Sequence, residues 1–154
     1  MSTNRMQAAS KEFIKMMRPL TGRRSESEAF DAFLEISFTA FAYRATTGAQ
    51  AETFRDRHID EWRRWDDAEH TTFLTLTQFA EENISGFQGD LLGVVAAEVG
   101  ALSAARGQFF TPWELCLLMA AMTLAGPHSR DVVERGWVGM QEPACGSGAI
   151  VLAK

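Results

Sequence analysis

The chain has 154 residues, of which 46% are hydrophobic, and a formal net charge of -5 at pH 7. These values exclude wholesale disorder, and the length suits one domain, or one small domain and the beginning of another. No apolar run approaches the roughly 20 residues that span a bilayer, and the start MSTNRMQAAS has no signal-peptide core. We therefore expect a cytoplasmic protein without a membrane segment.

Residues 1–10 are polar and are expected to be loose, whereas the chain from there to residue 106 predicts a helical domain. Apolar side chains recur at three- and four-residue spacing between residues 25 and 46, which places them on one face of a helix: Phe30, Phe33, Leu34, Phe38 and Phe41. This stripe is predicted to face the core. Gly48 is expected to end the helix.

Further helices are predicted before residue 103. The second segment carries Phe54, His58, Trp62 and Trp65. The third, near residues 67–83, carries Phe73, Leu76 and Phe79. The fourth begins with Asp90 as its N-cap and carries Leu91, Val95, Val99 and Leu102. Histidines 58, 70 and 128 are too scattered to indicate a metal site.

The stretch TPWEL marks the start of another helix. Thr111 can cap it, Pro112 suits the first turn because its missing N–H costs nothing there, and Glu114 can complete a capping box. Gly126 and Pro127 are expected to end this helix.

The cysteines and the arginine clusters point to ordinary roles. Cys116 and Cys145 lack paired metal-ligand spacing, so we expect free thiols in a reducing compartment. The acidic balance carries no signature of nucleic-acid binding, and solvated helix faces are the favoured interpretation of the arginines, although local basic patches remain an alternative. The arginines concerned are Arg23, Arg24, Arg55, Arg57, Arg63 and Arg64.

The stretch GWVGMQEPACGSGAIVLAK predicts a different element. Residues 137–141 are apolar enough for a buried strand, and glycines after a strand permit a ligand to approach the backbone near a helix start. The spacing differs from G-x-G-x-x-G and from the phosphate-binding loop with its lysine. A tight turn between strand and helix also favours glycine, so the spacing alone leaves both interpretations open.

Two motifs together resemble one family. GQFFTP at residues 107–112, a helix, and EPACGSGA at residues 142–149 are similar in order and gap to the N-6 adenine DNA methyltransferases, in particular the modification subunits of type I restriction systems. That family places a helical domain before its methyltransferase fold. The resemblance implies a mainly α chain, with a helical N-terminal domain over residues 1–106. Residues 107–154 would hold the first strand and glycine loop of an incomplete Rossmann-like α/β methyltransferase domain.

The resemblance also implies a binding site for S-adenosyl-L-methionine. Phe110, Thr111 and Pro112 would lie along the pocket. Glu142 would approach the ammonium group at the methionine end of the cofactor. The remaining residues would form the loop at the cofactor, with close backbone approach at the two glycines: Pro143, Ala144, Cys145, Gly146, Ser147 and Gly148.

The implied function is the N-terminal part of an S-adenosylmethionine-dependent, site-specific DNA adenine-N6 methyltransferase of a restriction-modification system. DNA would be bound through the complete enzyme or a specificity subunit. The family's catalytic motif, Asn or Asp before two prolines and an aromatic residue, is absent because no two of the four prolines are adjacent. No catalytic residue is therefore assigned, and the chain alone is expected to be inactive.

Two alternatives remain at this stage. The first is a non-catalytic protein-interaction module, derived from such a methyltransferase, that modulates restriction or modification. The second is a helical binding module whose motif resemblance is accidental. An exposed apolar strand and an incomplete pocket would also favour self-association or a partner chain.

Overall fold

The structure, a computed structural model, describes residues 2–84, 89–101, 111–124 and 134–135. Within these ranges the chain is mainly helical and contains no strand. The helices are α1 Ser2–Met17, α2 Glu26–Ala45, α3 Gly48–Trp62, α4 Asp67–Ile84, α5 Leu91–Glu98 and α6 Trp113–Leu124, with a 3₁₀ helix, Arg18–Thr21, between α1 and α2. The prediction of a mainly α chain is thus confirmed, and the strand predicted at residues 137–141 lies outside the described residues.

Helix α1 shows that the expectation of loose residues at the N-terminus was wrong. The helix begins at Ser2, and its apolar residues recur every three or four positions and are buried: Met6, Ala9, Phe13 and Met17. The Phe13 ring centroid lies 5.0 Å from that of Phe33 in α2 and 6.3 Å from that of Phe79 in α4. A narrow apolar stripe among polar residues is enough to fold this segment, because α2, α4 and α5 cover the stripe.

The core lies between α1, α2, α4 and α5, and α3 packs along α2 on the outside. Leu76 of α4 and Leu91 and Val95 of α5 have no exposed surface. Helix α3 contributes no fully buried residue. Burying each large apolar side chain stabilises the fold by roughly 1.5–3 kcal/mol, so the four inner helices carry most of the stability.

The predicted aromatic stripe of α2 is only half correct. Phe30 and Phe33 are buried, but Phe38 is 54% exposed and Phe41 is 51% exposed. Phe38 packs edge-on against Phe54 of α3, with ring centroids 5.6 Å apart. The stripe is longer than the surface that α1, α4 and α5 cover, so its C-terminal half stays open.

Local signals set most of the helix ends. Ser25 and Glu28 form a capping box at the start of α2, with Glu28 Oε2 2.8 Å from the Ser25 backbone nitrogen. Asp90 caps α5 as predicted, accepting from the Gly93 N–H at 2.9 Å. The prediction for Gly48 was wrong in role: α2 ends at Ala45, and Gly48, with φ 62°, is the first residue of α3.

Helix α6 begins one residue later than predicted. The Pro112 carbonyl accepts from the Cys116 N–H at 3.0 Å, so Pro112 stands at the N-cap position and Thr111 precedes it. The helix continues to Leu124, and the predicted stop at residues 126–127 lies outside the described part. None of the helices that the structure describes is long and apolar enough to cross a membrane.

Candidate functional site

The structure describes two of the residues predicted to bind the cofactor, Thr111 and Pro112. Both are exposed and directly precede α6. The Thr111 carbonyl accepts from the Cys116 thiol, whose sulfur lies 3.5 Å away. The other predicted site residues lie outside the described residues: Phe110, Glu142, Pro143, Ala144, Cys145, Gly146, Ser147 and Gly148.

Helix α6 has a buried side and an exposed apolar side. Cys116 and Ala120 are buried, and Cys116 forms no disulfide with a residue that the structure describes. Large apolar side chains spaced at i, i+3, i+4 and i+7 are exposed: Leu115, Leu118, Met119 and Met122, the last at 74%. This spacing is the one by which an amphipathic helix anchors itself in an apolar groove.

An apolar groove of about 490 Å³ lies between α2 and α4 and reaches α5. Its lining includes Phe33, Leu34, Phe38, Phe41, Ile84 and Leu92. The hydroxyls of Ser37 and Thr77 lie 3.3 Å apart and link the two helices there. A surface of this size that combines half-exposed phenylalanines with few polar groups is typical of a protein contact.

Two histidines stack on Trp62, which their scattered sequence positions did not predict. The His70 and Trp62 ring centroids are 3.9 Å apart with planes 4° apart, and the His58 and Trp62 centroids are 5.6 Å apart. The i, i+4 spacing of His58 and Trp62 on α3 was the only sequence signal for part of this stack.

The hydrogen bonds of His58 and His70 indicate that both histidines have a structural role. His70 Nε2 donates to the Trp62 carbonyl at 2.8 Å, and His58 Nδ1 lies 3.2 Å from the Ile36 carbonyl and 3.1 Å from the Thr39 hydroxyl. Carbonyls only accept, so these ring nitrogens carry the protons. In the described part of the chain, no three His, Cys, Asp or Glu side chains are grouped as a metal site.

Two pairs of arginines that are far apart in the sequence meet in one cleft of about 520 Å³. Arg23 and Arg24 follow the 3₁₀ helix, and Arg63 and Arg64 follow α3. We call this the arginine cleft, and its other lining residues are Leu20, Gly22, Trp65, Asp66 and Glu69. Sequence clusters alone did not indicate that these two pairs would be neighbours.

A buried tryptophan, Trp65, forms part of the wall of the arginine cleft. Trp65 is 6% exposed, and the Arg24 guanidinium carbon lies 3.6 Å from its ring centroid. Arg24 Nη2 also donates to the Arg64 carbonyl at 3.2 Å. Glu61 accepts from Trp65 Nε1 at 3.2 Å and from Arg64 Nη1 at 2.8 Å. Arg24 is thus packed on the aromatic ring of Trp65, and Arg64 is paired with Glu61 beside it.

The other charged side chains of the arginine cleft differ in whether they have a partner. Arg23 and Arg63 are exposed, and neither forms an ion pair with another residue that the structure describes. Asp66 and Glu69 cap α4 reciprocally: Glu69 N–H donates to Asp66 at 2.9 Å, and Asp66 N–H donates to Glu69 at 2.8 Å. The two cleft carboxylates are therefore engaged, whereas two guanidiniums remain available.

The two arginines within α3, Arg55 and Arg57, each form an ion pair with a carboxylate. Arg55 binds Asp56 at 2.9 Å, and this hydrogen bond raises the pKa of the Arg55 guanidinium. Arg57 pairs with Glu35 of α2 at 2.8 Å. Both arginines are therefore paired with carboxylates, and neither lines the arginine cleft.

None of the family models, curated proteins or solved structures compared with this chain matches it. The assignment of a function therefore depends on the two sequence motifs and on the surfaces described above.

Proposed function

We propose that the chain is the N-terminal part of an S-adenosylmethionine-dependent, site-specific DNA adenine-N6 methyltransferase of a restriction-modification system. The observation that carries the proposal is the order of GQFFTP, a helix and EPACGSGA. Helix α6, Trp113–Leu124, starts directly after the first motif. The position of this helix supports the resemblance, because the family has a helix between the same two motifs.

The described residues fit a place at the wall of a cofactor pocket. Thr111 and Pro112 are exposed at the start of α6, and the Thr111 hydroxyl forms no hydrogen bond to the residues that the structure describes. It can therefore donate to a ligand without first breaking an internal bond. Pro112 keeps the approach to the helix rigid, since its φ angle is fixed by the ring.

The role of this chain would be to bind and orient, not to activate. When bound, S-adenosylmethionine would supply an electrophilic methyl group on its sulfonium sulfur. Thr111 and the glycine loop would hold the cofactor, and holding a reactant in place supplies much of the rate in such reactions. The catalytic motif would come from sequence or a chain beyond these residues.

Isothermal titration of S-adenosylmethionine into the folded chain tests the proposal. We expect binding that Gly146→Ala abolishes, because a methyl group there would block close approach of the cofactor to the backbone. Gly22→Ala is the matched control, since a β-carbon at Gly22 meets nothing within 4 Å. A folded wild-type chain that binds no cofactor would contradict a cofactor site in this chain.

Thr111→Ala separates the proposal from an accidental motif match. Thr111 is exposed, so its hydroxyl is not needed for the fold. We expect this variant to weaken cofactor binding and leave the free energy of unfolding within about 0.5 kcal/mol of the wild-type value. Unchanged cofactor affinity would remove Thr111 from the site.

A second candidate function is a non-catalytic protein-interaction module derived from such an enzyme. The observation that favours it is the pair of apolar surfaces, the α2/α4 groove and the exposed side of α6. Each suits the other in a second copy, because an apolar helix face fits an apolar groove. Sedimentation velocity tests this: Phe41→Glu should abolish association that the wild-type chain shows as its concentration rises. A monomer at all concentrations would contradict self-association.

A further inference from the structure

We propose that the arginine cleft binds the phosphate backbone of duplex DNA, with Arg23 and Arg63 contacting phosphate oxygens. The choice of DNA among polyanions rests on the proposed methyltransferase function. The cleft itself is inferred from geometry alone. Through this cleft, the helical domain would contact DNA directly.

The chemistry of the cleft fits phosphate. A guanidinium presents a planar set of donors that matches two phosphate oxygens at once, and arginine is the usual residue at such sites. Arg24 packs on Trp65 at 3.6 Å, and Arg64 pairs with Glu61 at 2.8 Å, so both guanidiniums already have partners beside the cleft. Arg23 and Arg63 add two exposed charges that no described carboxylate neutralises.

The two carboxylates at the rim of the arginine cleft belong to the start of α4. Asp66 and Glu69 at the rim accept hydrogen bonds from the first backbone N–H groups of the helix, so part of their charge is balanced locally. Four guanidiniums then face two engaged carboxylates across the cleft. The net charge of the lining is therefore positive although the whole chain is acidic.

The size of the arginine cleft and the charges next to it favour an extended polyanion that binds along the cleft. The four arginines come from two separate segments, so their charges are spread along a cleft of about 520 Å³, too large for one phosphate group. A neighbouring groove shares Arg24, Arg64 and Trp65 with the arginine cleft, and its carboxylates are Glu28, Asp31, Glu35 and Glu61. These carboxylates would repel a phosphate backbone and confine it to the arginine cleft.

Fluorescence anisotropy with a labelled DNA duplex, at low salt and without S-adenosylmethionine, tests the proposal. We compare the wild-type chain with Arg23→Gln/Arg63→Gln. The control, Arg55→Gln/Arg57→Gln, removes the same charge from paired arginines outside the cleft. We expect about tenfold weaker binding, or more, in the cleft variant only. Plotted as log affinity against log salt, its slope should be less steep by about two, one unit for each lost phosphate contact.

Several outcomes would overturn the inference. The first is a folded wild-type chain that does not bind the duplex at low salt, and the second is an equal loss of affinity in both double variants. The third is displacement of DNA by millimolar inorganic phosphate at constant ionic strength, which would indicate a site for a small anion. Cofactor titration is measured separately, so a failure of DNA binding can be told apart from a failure of the proposed methyltransferase function.

Discussion

Helices α1 and α6 differ in their content of apolar residues and place those residues in opposite ways. In α1, Phe13 and Met17 are completely buried and join the core. In α6, Leu118 is 54% exposed and Met122 is 74% exposed. The first helix is mostly polar and packs at the centre, whereas the second is mostly apolar and leaves its large side chains open.

The difference shows that the total hydrophobicity of a helix does not decide its place in the fold. What decides it is whether neighbouring helices offer a matching surface. Helices α1, α2, α4 and α5 bury one another, and their shared core includes no described residue of α6. The exposed face of α6 is instead suited to a contact outside this core.

The largest effect is expected at the centre of α1. Phe13→Ala should lower the free energy of unfolding by about 3–5 kcal/mol, because it removes a ring that packs against Phe30 and Phe33. Urea unfolding measures this value. Phe41→Ala, at a half-exposed position on α2, is the control and should cost far less. Equal losses at both positions would break the contrast between buried and open aromatic residues.

A second, smaller effect tests how α5 is tied to the core. In Gly93→Ala, the new β-carbon would overlap the Asp90 carboxylate, which caps the helix and is itself buried. We expect a loss of about 2 kcal/mol, through the lost cap and local repacking. Gly22→Ala, where a β-carbon has open space, should change stability by less than about 0.5 kcal/mol. A tolerated Gly93→Ala would show that Asp90 can move without cost.

The capping box of α2 predicts a pH-dependent effect. Hydrogen bonds from the backbone N–H and then the hydroxyl of Ser25 lower the pKa of the Glu28 carboxyl. The stabilisation is therefore complete above the ordinary carboxyl pKa of about 4.3 and is lost as the pH falls through the lower folded value. Glu28→Gln should lower Tm at neutral pH, and the difference from wild type should shrink below about pH 4. Glu26→Gln controls for the loss of charge, and a difference independent of pH would contradict the mechanism.

The smallest effect on stability is expected on α6. Leu118→Gln/Met122→Gln should leave the free energy of unfolding within about 0.5 kcal/mol of wild type, because both side chains are exposed. Leu76→Gln, at a completely buried position of α4, is the contrasting variant and should be strongly destabilising. A loss above about 2 kcal/mol in the α6 variant would mean that this face packs against the core in solution.

Periodicity and capping signals predicted several elements well. The segment near residues 67–83 became α4, Asp67–Ile84, and Asp90 caps α5. Both depend on local chemistry, since a cap and an apolar repeat can be recognised within a few residues. Helix α1 was missed because polar residues outnumber its narrow apolar stripe, and its role becomes visible only when α2 and α4 cover that stripe.

Of the predicted cofactor site, only Thr111 and Pro112 can be placed, at the exposed start of α6. The arginine cleft, in contrast, was not predicted as one site. Arg24 and Arg64 are 40 positions apart and meet through a hydrogen bond over the Trp65 ring. Sequence spacing carries no information about such a contact, because it depends on how the 3₁₀ helix and the end of α3 pack together.

By itself, the sequence determined the helical class of the described residues, the cap at Asp90, and the motifs that resemble those of a methyltransferase. These features depend on neighbours within a few residues, so they can be read along the chain. Only the tertiary structure decided which apolar faces are covered, which arginines converge, and that α1 lies at the centre. Those outcomes depend on the free energy of packing between distant segments, which no local pattern contains.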